Sequence, residues 1–165
     1  MVVSQVAAEN PEVKAVVYVA AFIPKVGDSV NSLNSIFPGS ELVSANLHTT
    51  DAPGGLTDVY IDQDKYGQVY AGGLSPSRIR VAAATQRPIT AQALADPATL
   101  AAPASTPKWE IVATEDNAVP TKLEEFMGRR AGATLVYAPS GHDVPAAQPE
   151  IVDGVIVRAA TVAAR

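Results

Sequence analysis

The chain has 165 residues, a formal net charge of -5, 47% apolar and 18% charged residues, and no cysteine. Such a composition supports one compact domain with a real core, and an acidic balance with scattered Lys and Arg lacks the electrostatic footprint for nucleic acid or an anionic membrane. Without cysteine there is no disulfide, thiolate metal site or thiol nucleophile, and with only His48 and His142 a multi-histidine metal site is excluded; no cofactor is implied.

Residues 1–8 read as one or two Val- and Ala-rich helical turns, with no capping residue before them and Asn10-Pro11 ending them. The same stretch lacks a basic start and a signal-like apolar run, so cytoplasmic is the default localisation. Residues 13–21 (V-K-A-V-V-Y-V-A-A) form a nearly continuous apolar run. Such a run suits a strand covered on both faces, inside a parallel sheet, and is too short to cross a bilayer. Residues 25–106 hold most of the Pro and Gly. They are expected to form an insertion of small helices and loops, with helices over 64–70 and 76–86, helical turns over 90–94 and 97–101, and one short strand over 59–61.

A second strand is expected over 108–114 (K-W-E-I-V-A-T). Thr121 then offers an N-cap, Glu124 completes a capping box, and Leu123, Phe126, Met127 and Arg130 follow at helical spacing up to Gly132. Residues 133–138 (A-T-L-V-Y-A) give a third strand, and Ile151, Val152, Val155, Ile156, Ala159 and Ala160 give the apolar stripe of a closing helix from Pro149. Strands alternating with helices predict an α/β fold with three parallel strands flanked by helices.

In such sheets, sites form beyond the carboxyl ends of the strands. Asp116 follows the second strand and His142 the third, so neighbouring loops would bring them together. A carboxylate on one imidazole nitrogen frees the other to act as a base near neutral pH. Alone, such an Asp is commonly a turn residue and such a His a surface residue; the pair in this order is more specific than either. Glu115 and Asp143 are assigned to solvent, and His48 to a loop or pocket lining.

Several segments carry a family resemblance. They are N-P-E-V-K-A-V-V-Y-V-A-A-F-I-P at 10–24, T-Q-R-P at 85–88, W-E-I-V-A-T-E-D-N-A-V-P at 109–120, F-M-G-R-R-A-G-A-T at 126–134, and the S-G-H that ends at His142. Together they resemble the later part of an α/β-hydrolase of the esterase-like group that includes methylesterases and hydroxynitrile lyases. The resemblance implies a partial α/β-hydrolase sheet, with 1–24 and 107–165 as core and 25–106 as a cap over the site. It makes Asp116 the triad acid and His142 the triad base, acting on a small ester or related carbonyl compound.

One departure stands out: no Gly-x-Ser-x-Gly elbow occurs anywhere. Residues 1–8 resemble the helix after that elbow, so the nucleophile is expected about five residues before Met1, and the oxyanion hole with it. Ser4, Ser29 and Ser40 sit in no elbow, and Ser140 is too close in sequence to His142 to be aimed at it. Pro145 is a second departure, close behind His142. The chain is therefore expected to be a truncated product, a mis-assigned start or half of a split enzyme, with an apolar strand edge open to self-association or a partner chain. Two other readings stand beside the hydrolase: a non-catalytic binding module, and a lyase on the same triad.

Overall fold

A computed structural model describes residues 1–164. In chain order the elements are α1 (Val2–Glu9), β1 (Val16–Val19), α2 (Val30–Asn34), β2 (Leu47–Ala52), β3 (Leu56–Ile61), α3 (Tyr66–Val69), α4 (Pro76–Thr85), β4 (Ile89–Thr90), α5 (Ala91–Ala95), β5 (Lys108–Ala113), α6 (Thr121–Arg130), β6 (Thr134–Ala138), α7 (Val144–Ala147) and α8 (Pro149–Ala163).

The core is a parallel sheet in the order β1-β5-β6. Central β5 is buried at every position, and its two charged residues, Lys108 and Glu110, are buried with the apolar ones. Its side chains divide between two layers. Trp109, Ile111 and Ala113 pack with Val152, Val155 and Ala159 of α8. On the other face, Val16 and Tyr18 of β1 meet Ala7 of α1 and Leu123 and Met127 of α6. The three expected parallel strands and their covering helices are thus present.

Residues 25–106 differ from their expectation. They hold an antiparallel sheet, β2-β3-β4, where the sequence suggested one short strand among helices. β2 reads L-H-T-T-D-A and is exposed along its middle, so it carries no apolar alternation to reveal it. The turn into β3 is Pro53-Gly54-Gly55, with both glycines at positive φ. His48 lies on β2, not in a loop: its Nδ1 is 2.7 Å from Asp62 Oδ1 and its ring stacks on Tyr60. Residues 97–101 are not helical.

The start of α6 departs from the expected capping box. Pro120 is the N-cap; Thr121 Oγ1 donates to the Ala113 carbonyl, and Glu124 Oε2 accepts from Ala113 N–H. Both side chains tie the helix to the end of β5 instead of capping the helix itself. Gly132 ends the helix at positive φ, as its position suggests. No helix among the described residues is long and apolar enough to cross a membrane.

Candidate active site

β5 and β6 are parallel neighbours, so the loops that leave their carboxyl ends run side by side. The pairing continues past the strands, with Thr114 N–H on Ala138 O and Glu115 N–H on Ser140 O. That register puts Asp116 and His142 opposite each other. His142 Nδ1 lies 2.7 Å from Asp116 Oδ2. The Asp116 side chain is wholly buried and that of His142 is 19% exposed. A carboxylate offers only acceptors, so the proton of this bond sits on Nδ1 and the lone pair on Nε2. No side chain among the described residues hydrogen-bonds Nε2.

Asp116 is also a turn residue. Its Oδ1 accepts from Ala118 N–H at 2.6 Å and Val119 N–H at 2.8 Å, closing the tight turn into Pro120. The same turn aims Oδ2 at the imidazole. Three N–H donors on one buried carboxyl group are the environment of a carboxylate.

The segment from Tyr70 to Gly72 holds the histidine loop. Gly141 N–H donates to Gly72 O, and Asp143 N–H donates to Tyr70 O at 3.0 Å. Tyr70 presents its ring edge-on to His142, with centroids 4.6 Å apart. Burial, then Asp143 and Asp116, push the Tyr70 phenol upward, so it is a neutral wall. A Cβ on Gly141 would stand 2.8 Å from Gly72 N, so only glycine allows this approach. Nothing in the sequence around Tyr70 marked it as a neighbour of the site. Pro145 lies in the first turn of the one-turn helix α7 (Val144–Ala147), where a proline fits.

Two acids lie beneath the site that no sequence pattern marks as part of it. Glu110, on β5, is fully buried, and its Oε1 accepts from the N–H of Ala21. It does so where β1 ends and Ala20 takes a left-handed φ of 46°. Burial pushes the Glu110 carboxyl up to about 9. Glu124 is equally buried, and burial together with the nearby Asp116 pushes it up to about 10.

The serines have structural roles. Ser4 Oγ meets Tyr18 Oη at 2.9 Å, Ser29 caps α2, and Ser40 Oγ donates to Ala118 O. Ser140 Oγ is buried and without a partner, and it does not bond His142. Glu115 is exposed and Asp143 partly buried. No cluster of three or more His, Asp or Glu residues among those described could hold a metal ion. A surface groove of about 460 Å³ between α4 and α7 is lined by neither Asp116 nor His142.

The sequence profile described as "Alpha/beta hydrolase family" matches residues 1–154. The chain belongs to the alpha/beta hydrolase family. No curated protein matches this hydrolase-family chain significantly. Among solved structures it is similar to polyneuridine aldehyde esterase, at a TM-score of 0.73 and 17% identity over 93% of this chain and 65% of that one. It is similar to a methylesterase from Arabidopsis, at a TM-score of 0.73 and 14% identity over 95% and 63%. It is similar to a pyrethroid hydrolase from Sphingobium faniae JZ-2, at a TM-score of 0.66 and 16% identity over 94% and 64%. At these identities the likeness is one of fold. The hydrolase-family chain spans under two thirds of the length of each of these structures.

Proposed function

We propose that the chain carries the acid and base of a serine-hydrolase site, Asp116 and His142, and that the serine nucleophile lies outside these 165 residues. The observation that carries this reading is the 2.7 Å bond between His142 Nδ1 and the buried Asp116 Oδ2 at the carboxyl edge of the sheet. The substrate class is a small ester or related carbonyl compound, in keeping with the esterases of like fold. Residues 25–106 serve as the cap, and Tyr70 is the cap residue against the base.

The chemistry follows from the geometry. As a serine hydroxyl attacks the carbonyl carbon, His142 Nε2 takes its proton. Asp116 keeps the proton of Nδ1 in place and stabilises the imidazolium that forms. His142 then returns the Nε2 proton to the departing alkoxide. Water repeats the sequence on the acyl-enzyme, with His142 again as base and acid. The same pair could serve a lyase, since pocket shape and not the triad decides substrate and reaction.

A second reading, a non-catalytic binding module, is favoured by the lack of a Gly-x-Ser-x-Gly sequence. One experiment separates the two. The product of the reading frame extended upstream of Met1 is assayed on activated esters, beside the 165-residue chain. The hydrolase reading expects turnover only from the extended protein, and a loss on the order of 10³-fold or more in His142→Ala. An extended protein that carries an elbow but turns over equally well as His142→Ala contradicts it. An upstream frame without an elbow leaves the binding reading.

A further inference from the structure

We infer that Glu124 is a positioning residue for the Asp116–His142 pair: a neutral carboxylic acid that donates a hydrogen bond to Asp116 and limits the buried cluster to one negative charge. This inference rests on the reading of those two residues as acid and base, and extends it to a third group from α6.

Glu124 lies on the first turn of α6 and is fully buried. Its Oε2 accepts from Ala113 N–H at 2.9 Å. Its Oε1 has no donor aimed at it. No Lys, Arg or His among the described residues forms an ion pair with it. An ionised carboxylate so placed would be a buried charge with one backbone donor, a costly arrangement. As a carboxylic acid the group has an O–H to give, and Asp116 is its neighbour: Glu124 is anchored at Ala113, just before Asp116 in the chain, and Asp116 closes the turn into the same helix.

Asp116 has room for that donor. Its oxygens accept from Ala118 N–H, Val119 N–H and His142 Nδ1–H, three of about four acceptor positions. The titratable groups that face Glu124 are Asp116, from the loop after β5, and Glu110, from β5 itself. Both are acids, so a second ionisation in the cluster is opposed from each side. Asp116, with its three donors, is the better home for the single charge.

The consequence falls on His142. A base must be neutral at working pH to accept a proton, and each negative charge beneath it favours the imidazolium. With Glu124 neutral, His142 faces one charge. The fourth donor also fixes the rotation of the Asp116 carboxyl group, and so the direction of Nε2.

The test is imidazole titration by NMR on the 165-residue chain, which has only His48 and His142 to resolve. Glu124→Gln keeps a hydrogen-bond donor and changes no charge if Glu124 is already neutral, so the His142 midpoint should move by less than about 0.3 unit. A drop of about one unit or more would mean that a buried negative charge was removed, and would overturn the inference. Glu124→Leu removes the donor and should raise the His142 midpoint by about half a unit or more; an unchanged midpoint would refute the positioning role. Infrared difference spectra of wild type against Glu124→Gln at neutral pH should contain a protonated-carboxyl C=O stretch, and its absence would also overturn the inference. These readouts concern the imidazole and the carboxyl group, not turnover, so they succeed or fail independently of the hydrolase reading.

Discussion

Asp116 does two jobs with two oxygens. Oδ1 closes the turn into α6 while Oδ2 holds His142, so the structural and chemical readings of this aspartate are the same geometry. Glu110 is a different kind of buried acid. It satisfies the Ala21 N–H where β1 turns out of the sheet, and burial pushes it from 4.5 to about 9. A folded-state value raised above the unfolded one means that the folded chain holds its proton more tightly. The stability this group allows is complete below about 4.5 and is lost as pH rises toward about 9. At pH 7 the cost is on the order of 3 kcal/mol. Melting temperature should therefore fall between pH 5 and 9 in the wild type and fall less in Glu110→Gln. Equal slopes for the two proteins would show that Glu110 does not carry the effect. The sequence made Asp116 and His142 legible because each follows an apolar strand. Glu110 and Glu124 were hidden: one sits inside a strand, and the other fits a capping pattern its side chain does not fulfil.

At the scale of elements, two contacts fix the site. One is the parallel pairing of β5 with β6, which continues into the loops and sets Asp116 against His142. This pairing was legible because each strand is a short, mostly apolar run that ends before a polar loop, although only β5 is buried throughout. The other is the crossing of Gly72 over Gly141, which brings Tyr70 onto the imidazole. That contact was illegible, since glycines at a close approach look like any loop glycines. The β2–β3 hairpin was half legible: the end of β3 reads as a short strand over 59–61, whereas β2 lies on the surface and carries no apolar alternation. Gly141→Ala would drive its methyl group into the Gly72 backbone. It should lower stability by about 1–3 kcal/mol and abolish the Tyr70–His142 ring contact seen by NMR. A variant with unchanged melting temperature and an intact ring contact would show that the crossing is looser than the geometry implies.

At the scale of the molecule, β1 is an edge strand with β5 as its one partner among the described residues. Apolar side chains lie open nearby on α1, where Val2 is 75% and Val3 48% exposed. Edges and apolar faces of this kind attract other chains. The isolated 165-residue chain should therefore elute above its 17.1 kDa monomer mass and bind a hydrophobic dye; a monomeric, dye-silent protein would contradict that expectation. The measurement that tests the central claim most directly is the site of labelling by a fluorophosphonate, read by peptide mass spectrometry on the protein encoded by the upstream-extended frame. The expected result is one labelled serine outside these 165 residues, with labelling slowed on the order of 10³-fold or more in His142→Ala. Label on Ser140 or another serine within the chain, or labelling indifferent to His142, would contradict it.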